Sequence, residues 1–281
     1  MIKVEMWDIR ALCGMLVVVG MLIVLRWRLT RRTVVTEGRG IEIGNEQTIG
    51  RRSEQDDYFT SATTRLGTLA VICDGISGLS NGRMSSTLAV TEFAQQFQQL
   101  DDRRAIADYF ERAAKLSNRK ILDHLGGMNG GTTVVAAVVS DGYLHWGAVG
   151  DSQITVFREG EFIPVNSKHT LESVLHEKVL TGEMTKEDAE QSPMRRHLIN
   201  YLGYEGFEKM EIGEPIALRK KDKVLLCSDG VHDALTEVDL EAILREDGTA
   251  QEYAEEIIAA VIGKGYKNQD NATVIVLEKG W

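Results

Sequence analysis

The stretch Thr132–Val149, which reads TTVVAAVVSDGYLHWGAV, decides the fold class of this chain. Its two apolar runs, Thr132–Ser140 and Tyr143–Val149, flank the pair Asp141-Gly142. Asp-Gly between two such runs is a strong signal for a tight hairpin turn, and a hairpin places its strands antiparallel. We therefore predict an antiparallel sheet in the middle of the chain.

Other runs extend this sheet prediction in both directions. A second hairpin is predicted where Gln153–Arg158 and Glu161–Val165 flank Glu159-Gly160. Residues 33–50 are predicted to form a short linker that passes into a first strand. Three further apolar runs have strand character: Leu66–Cys73, Val224–Cys227 and Thr273–Leu277.

Helical segments have a different pattern, with apolar residues three and four positions apart and charged opposite faces. The sequence Thr185-Lys-Glu-Asp188 is typical of a capped helix start. The amphipathic segments are Ser85–Leu100, Arg103–His124, Val238–Glu246 and Gln251–Ile262. Hairpins combined with helices of this kind predict an α+β fold in which helices cover antiparallel sheets.

Composition limits the function classes. The chain has 281 residues, 43% hydrophobic and 26% charged, which suits one catalytic domain. Residues 1–32 hold six basic and two acidic side chains, which leaves residues 33–281 with a formal charge of −14. Such a negative charge on residues 33–281 disfavours nucleic-acid binding, and it therefore also disfavours a generic two-metal nuclease as the function. Cys13, Cys73 and Cys227 lie in apolar runs without CxxC spacing, which predicts buried free thiols.

The N-terminal segment predicts a membrane anchor. Ala11–Leu25 carries no charge, and its fifteen residues span about 22 Å as a helix. Apolar flanks and snorkelling arginines extend this toward the ~30 Å hydrocarbon core. A cleaved signal peptide and a peripheral or buried helix are the alternatives. The first is disfavoured because the basic cluster follows the apolar run and no small-residue cleavage site is present.

Positive charge predicts the orientation of this anchor. Four arginines follow the apolar run, whereas Lys3 and Arg10 before it are balanced by Glu5 and Asp8. The positive-inside tendency then places the following residues in the cytoplasm. We expect residues 1–32 to be a single-pass anchor at the cell membrane and residues 33–281 to be the cytoplasmic catalytic domain.

Acidic residues recur at the ends of predicted strands. A single strand-end Asp is usually a turn or cap residue, but five such places in one chain can meet at a sheet end. They are Asp56-Asp57, Asp74-Gly75, Asp151, Asp229-Gly230 and Asp270-Asn271. Clustered carboxylates cannot all stay ionised without cations. Mg²⁺ and Mn²⁺ prefer such oxygen ligands, so the pattern predicts metal-assisted phosphate chemistry.

Six motifs then occur in order: RSEQDD (52–57), VICDGISG (71–78), GTT (131–133), WGAVGDS (146–152), LLCSDGVHD (225–233) and DNATV (270–274). They resemble the motifs of the type 2C metal-dependent Ser/Thr protein phosphatases, the PPM family, in its bacterial-looking form, from about residue 40 to 278. The resemblance implies a central antiparallel β-sandwich with helices on both faces, in α-β-β-α layers. It also implies two Mn²⁺ or Mg²⁺ ions at one end, with a third, weaker site.

The resemblance assigns a role to each matching residue. Arg52 would bind the substrate phosphate. Asp74 would bridge the two metals, and Gly75 would offer its carbonyl to one of them. The remaining metal positions fall on Asp229 and Asp270 for the other ion, Asp56 and Asp57 for the early acidic position, and Asp151 for the third site. Asn271 would support the geometry of its neighbour.

Three departures from the family pattern stand out. Gln55-Asp56-Asp57 replaces the usual Asn-Glu-Asp, so water can mediate that contact. Ile76-Ser77-Gly78 has no histidine, so a general acid at that place is absent. His232 stands where Trp is usual, either as a surface or core substitute or as a substrate contact.

The resulting hypothesis is direct hydrolysis of phosphoserine and phosphothreonine on proteins by a metal-bridging water, opposing a Ser/Thr kinase. The alternative is a membrane-tethered pseudophosphatase that binds phosphoproteins without hydrolysis. A phosphatase specialised for a regulatory partner also stays open. The region Lys168–Gly203 is expected, from the resemblance, to form a flap that gates substrate.

Overall fold

The Asp141-Gly142 turn forms as predicted. The computed structural model of the chain describes residues 40–76 and 81–280. In it, Val134 pairs with Val149 and Ser140 with Tyr143 across an antiparallel hairpin. Asp141 and Gly142 both have positive φ, +50° and +84°, which is the backbone that a type I′ hairpin turn requires.

The strands follow in chain order. They are β1 Ile41–Thr48, β2 Asp57–Thr64, β3 Gly67–Asp74, β4 Val134–Ser140, β5 Tyr143–Val149, β6 Gln153–Arg158, β7 Glu161–Pro164, β8 Glu211–Ile212, β9 Ile216–Ala217, β10 Lys223–Cys227 and β11 Ala272–Lys279. Every pairing between them is antiparallel within the described residues.

The helices lie between the strands. They are α1 Gly82–Gln98, α2 Ile106–Leu125, α3 Leu171–Leu180, α4 Lys186–Glu190, α5 Asp229–His232, α6 Glu237–Leu244 and α7 Ala250–Gly263. The predicted capped start at Thr185 is confirmed, because its hydroxyl accepts a hydrogen bond from the Asp188 N–H. Thr236 and Thr249 form complete capping boxes for α6 and α7.

Among the described residues, the strands form two sheets. One has the order β1-β11-β10-β6-β7, and the other has the order β2-β3-β4-β5-β8 with β9 also paired to β5. A buried layer of Ile72, Val135, Val224 and Leu277, among others, joins the facing sides of the two sheets. The predicted antiparallel architecture is therefore present.

Helices cover the outer faces of both sheets. Phe93 on α1 and Tyr109 on α2 lie in one buried cluster with Ala136 of β4. Ile257 on α7 and Leu240 on α6 pack with the outer residues of β10 and β11 in another. The layers follow the order helix, sheet, sheet, helix, and the loops at one end of both sheets carry the acidic motifs.

The sequence prediction missed β2. Its residues, DYFTSATT, are mostly polar, and their exposure alternates because β2 lies at the edge of its sheet. An edge strand lacks the continuous apolar run by which buried strands are recognised. Helix α3 was also missed as a separate element, because it is short and its apolar positions do not distinguish it from a loop.

The predicted anchor, residues 1–32, lies outside the described residues, as do the thiol of Cys13 and the residues Ser77 and Gly78. In the part of the chain that the structure covers, no helix has the length and apolar character needed to cross a membrane. The division at residues 32 and 33 stays a prediction. Cys73 and Cys227 are buried free thiols, as predicted.

Candidate metal and phosphate site

Four predicted site residues meet where strands of both sheets end. Asp74 is the last residue of β3, and Asp229 opens α5 just after β10. Asp151 and Asp270 each lie two residues before a strand, β6 and β11 respectively. Since β6, β10 and β11 are consecutive neighbours in one sheet, and β3 lies opposite them, the four carboxylates converge on one cavity.

The cavity has a volume of about 500 Å³. Its walls combine the acidic residues with a segment that follows α4. The lining residues are Asp74, Ile76, Thr133, Asp151, Arg196, His197, Leu198, Tyr201, Asp229 and Asp270. This volume accommodates a phosphorylated side chain together with ions and water.

The buried carboxylates repel one another. Burial, followed by the charges of Asp57, Asp229 and Asp151, raises the pKa of Asp74 well above its usual range. Burial and the charges of Asp151 and Asp270 raise the pKa of Asp229 to about 7. The Asp74 and Asp229 carboxyl groups also act directly on each other's pKa, as two carboxyl groups that share a site do.

Asp57 lies beside the cavity and connects the two sheets. Its side chain is 2% exposed, and its Oδ2 accepts hydrogen bonds from the hydroxyls of Ser228 and Thr273, each at 2.8 Å. It also pairs with Asp74 in the register of β2 and β3. Burial raises the pKa of Asp57 to about 6, although the two hydroxyl donors oppose the shift.

Arg52 provides a cation at this end of the molecule. Its Nη2 lies 2.5 Å from Oδ2 of Asp270, and its side chain is 45% exposed. The guanidinium is thus held at the rim with part of its donor fork open to solvent. The Asp270 carboxylate, a predicted metal ligand, thus already binds one positive group, the Arg52 guanidinium.

Asn271 fixes the loop that carries Arg52 and Asp56. Its Oδ1 accepts a hydrogen bond from the Asp56 N–H at 2.8 Å, and its Nδ2 donates to the carbonyls of Ile49 and Glu54 at 2.9 and 3.1 Å. The Asp270 carboxylate in turn accepts from the Asn271 N–H at 2.8 Å. The placement agrees with the supporting role that the sequence suggests for Asn271.

Gly75 lies at a point of close backbone approach. A Cβ at this position would come within 2.5 Å of the Gly82 carbonyl group and 2.8 Å of the Asp56 carbonyl oxygen. The Gly75 N–H donates to that Asp56 oxygen at 3.2 Å. The Thr132 hydroxyl donates to the Asp74 carbonyl from the other side at 2.8 Å. Any larger residue at position 75 would displace the strand end that carries Asp74.

Asp56 and Asp151 lie toward the edges of the group. Asp56 is not among the residues that line the cavity. Burial and the charge of Glu54 raise its pKa, and the Arg83 backbone opposes the rise. Asp151 does line the cavity, and burial raises its pKa as well. Asp56 therefore contributes charge from the outer side, whereas Asp151 faces the shared space.

The donor set fits hard divalent cations in chemistry and charge. The donors are carboxylate oxygens, which Mg²⁺ and Mn²⁺ prefer over other ligand types. The raised pKa values of Asp74, Asp151 and Asp229 show that these three carboxylates lack a sufficient positive partner within the described residues. In residues 40–76 and 81–280, no three His, Cys, Asp or Glu side chains are arranged closely enough to hold one ion. The fit therefore rests on the chemistry of the donors and on the cavity that Asp74, Asp151, Asp229 and Asp270 share.

Sequence reasoning missed part of the cavity wall. Arg196, His197 and Tyr201 belong to the expected flap region but were not singled out. Arg196 forms an ion pair with Asp233 at 3.0 Å, which attaches this segment beside α5. No local pattern marked these residues, because their position depends on how an irregular segment folds back over the strand ends.

Comparison with known proteins agrees with this fold and site. The family described as Protein phosphatase 2C matches residues 44–278. The serine/threonine phosphatase stp of Listeria innocua is 29% identical over 221 residues, which cover 75% of this chain and 84% of the relative. A Streptococcus agalactiae serine/threonine phosphatase structure is 26% identical with a TM-score of 0.75, over 85% of this chain and 99% of that one.

A third comparison extends the fold match. The catalytic domain of the serine/threonine protein phosphatase PstP, in complex with two manganese ions, has a TM-score of 0.69 at 22% identity, over 85% of this chain and 98% of its own. Fold and site together define a metal-dependent phosphatase architecture. The chain belongs to the protein phosphatase 2C family.

Proposed function

We propose that this protein hydrolyses phosphoserine and phosphothreonine on other proteins. The observation that carries the proposal is a cavity of four carboxylates, Asp74, Asp151, Asp229 and Asp270, with the Arg52 guanidinium bound at its rim. Family membership and the names of the relatives, serine/threonine phosphatases, support the substrate class. The product of the reaction is the free hydroxyl side chain and inorganic phosphate.

We assign the metal-holding role to the residues that the motifs and the cavity share, together with Gly75, which adjoins Asp74. Asp74 and the Gly75 carbonyl, with Asp229 and Asp270, would hold two Mn²⁺ or Mg²⁺ ions, and Asp151 a third, weaker one. When bound, such ions would supply an activated water and polarise the phosphoryl oxygens. The manganese reported with PstP supports this choice of metal.

The chain's own residues bind and orient the phosphate. Arg52 has a planar fork of donors, and its pairing with Asp270 aims the fork at the cavity rim. Asn271 holds the Arg52 loop against β11, so the guanidinium stays in place without a large entropic cost. Positive charge at this position stabilises the negative charge on the transferring phosphoryl group.

A phosphopeptide assay tests the proposal. The full-length chain, purified in mild detergent, is given a phosphothreonine peptide with and without Mn²⁺, and released phosphate is measured. We expect Mn²⁺-dependent release that is lost in Asp229→Asn. Folded protein that binds Mn²⁺ but releases no phosphate would instead indicate the pseudophosphatase alternative. Full activity in Asp229→Asn would contradict the assigned site.

We also propose that residues 1–32 anchor the protein at the cell membrane with the catalytic domain in the cytoplasm. The support is the uncharged run of fifteen residues and the arginines that follow it. Fractionation of cells that express the full chain and a version with Val17→Glu and Val18→Glu tests this. We expect the unaltered chain in the membrane fraction and the variant outside it; equal distribution would contradict the anchor.

A further inference from the structure

A second cavity lies outside the carboxylate site. It has a volume of about 300 Å³ and lies between the β6–β7 hairpin and the segment α5–α6. The polar groups of its wall include Gln153, Lys168 and His232, and Leu235 and Leu240 contribute apolar ones. His232 and Leu225 lie in the motif at 225–233, but the metal and phosphate roles assigned to the motifs do not account for this cavity.

The His232 imidazole is a buried polar group without a partner. Its Nε2 is inaccessible to solvent and makes no hydrogen bond within the described residues. Buried polar groups in folded proteins are nearly always hydrogen-bonded, so an exception calls for a reason. Burial, followed by the Lys168 charge, lowers the pKa of His232 to about 4. The ring is therefore neutral at physiological pH, and because its Nε2 is closed to solvent, a ligand in the cavity contacts the ring through its other atoms.

The Lys168 ammonium is a charged donor at this cavity. Within the described part of the chain its side chain forms no ion pair or hydrogen bond. This is unusual in a body with a formal charge of −14, where acidic partners are plentiful. The loop that carries Lys168 is held to the start of β6, because Asn166 accepts from the Ile154 N–H at 2.7 Å and donates to the Ser152 carbonyl at 3.0 Å.

We propose that this cavity, lined by Lys168, His232 and the Gln153 amide, is a binding subsite for a carboxylate group. The Lys168 ammonium and the Gln153 amide NH₂ are donors that match an anionic oxygen pair, and the neutral His232 ring forms the adjoining wall. Glu237, which also lines the cavity, is exposed at the start of α6, where water screens its charge. The apolar wall accepts the methylenes that carry the carboxylate.

The subsite adjoins the phosphate site. Asp229 and His232 are the two ends of α5, one helical turn apart, which is about 5 Å along the axis. Lys168 also acts on Asp151, where its charge opposes the rise in pKa that burial causes. One residue of an extended peptide advances about 3.3 Å. An acidic side chain within three residues of the phosphorylated residue can therefore reach the cavity. The substrate peptide itself is then the source of the carboxylate, and this part of the proposal rests on the proposed function.

Paired peptides test the substrate source. The full-length chain with Mn²⁺ is given phosphothreonine peptides that carry Glu or Gln at each position from three before to three after the phosphothreonine. We expect kcat/KM to be about tenfold higher with Glu at one or two positions, the effect of one charge-assisted hydrogen bond. Lys168→Met should reduce that ratio to near one, whereas the exposed Lys178→Met control should keep it.

A binding measurement tests the subsite without relying on catalysis. N-acetylglutamate and its neutral counterpart N-acetylglutamine are titrated onto the chain, and the His232 ring signals are followed by NMR. We expect N-acetylglutamate alone to shift those signals, and the shift to be lost in Lys168→Met. This result stands even if the chain releases no phosphate, in which case the proposed function fails and the subsite does not.

The outcomes separate the two sources of carboxylate. A Glu preference that depends on Lys168 assigns the cavity to the substrate peptide. A His232 shift without any Glu preference assigns it to a free small carboxylate. Neither a preference nor a shift in the unaltered chain overturns the proposal. A preference or a shift that survives in Lys168→Met, with thermal unfolding matching that of the unaltered chain, overturns it as well.

Discussion

Two groups of buried carboxylates in this protein differ in how their charge is balanced. Away from the site, Asp222 accepts three hydrogen bonds from Arg158, at 2.6 to 3.1 Å, and Glu92 pairs with Lys120. At the site, Asp74 and Asp229 have carboxylates as their nearest charged neighbours, and burial and repulsion raise the pKa of both.

The difference indicates which carboxylates are structural. Asp222 and Glu92 are each 2% exposed, so burial alone does not separate them from the site residues. The first group has its positive partners within the chain and is complete when the chain folds. The second group destabilises the fold until cations from solution bind. Buried charge without an internal partner therefore marks the functional end of this molecule.

The largest expected effect comes from Asp74→Asn. We expect kcat/KM for a phosphothreonine peptide to fall about 10³-fold or more, because a shared cation ligand is lost. In EDTA, the free energy of unfolding should rise, since the change removes a buried, repelled carboxylate. Steady-state kinetics and urea denaturation measure the two effects.

Asp222→Asn is the matched control for that variant. The chemical change is the same, but Arg158 would lose its charged partner, so the free energy of unfolding should fall while kcat/KM stays near that of the unaltered chain. If both Asn variants change stability in the same direction in EDTA, the distinction between the two groups of carboxylates is wrong.

The next largest effect is expected from Arg158→Met. The Arg158 side chain is 15% exposed and that of Asp222 is 2% exposed, so the variant leaves a buried carboxylate uncompensated. We expect a loss of about 3 kcal/mol in the free energy of unfolding. Arg104→Met is the control, because Arg104 is 91% exposed in its pair with Asp102 and its loss should leave stability nearly unchanged. Equal losses in urea denaturation would contradict the prediction.

The metal-free chain should lose stability as pH rises. The pKa of Asp229 is raised to about 7 and that of Asp57 to about 6 in the folded state, above the usual value of 3.8. The folded chain then binds more protons than the unfolded chain between about pH 4 and 7. The free energy of unfolding in EDTA should fall across this window by several kcal/mol, on the order of 5 to 7. Saturating Mn²⁺ should remove most of this slope, and an unchanged slope would count against metal binding by these residues.

The smallest expected effect is that of Arg52→Lys. Lysine keeps the positive charge but lacks the planar donor fork, so kcat/KM should fall about tenfold with little change in stability. Arg51→Lys, one position earlier and exposed, should leave kcat/KM unchanged. If kcat/KM for peptide hydrolysis is unchanged in both variants, Arg52 contributes charge alone.

Local signals explain which parts of the fold the sequence predicted. Asp141-Gly142 and Glu159-Gly160 define hairpins by turn chemistry that depends on adjacent residues. Helix α7 begins at the capping box of Thr249, close to the predicted start at Gln251. Strand β2 was missed because its edge position makes it polar, and edge position is a property of the sheet, not of the segment.

The sequence predicted the acidic residues of the site but not their contacts. Asp74, Asp229 and Asp270 could be named because each follows or precedes an apolar run at a sheet end. The hydroxyl contacts of Asp57 with Ser228 and Thr273 could not, since they join residues 171 and 216 positions apart. The orphaned imidazole of His232 was equally hidden, because a missing partner is visible only when all neighbours are placed.

One measurement tests the central claim most directly, which is that the buried carboxylates take their positive charge from divalent ions. Mn²⁺ is titrated calorimetrically into the full-length chain at neutral pH, alongside Asp74→Asn and Asp222→Asn. We expect two ions to bind per unaltered chain and per Asp222→Asn chain, with proton release, and a clear loss of affinity in Asp74→Asn. Absence of binding to the folded, unaltered chain, or equal affinity in all three proteins, would contradict the account.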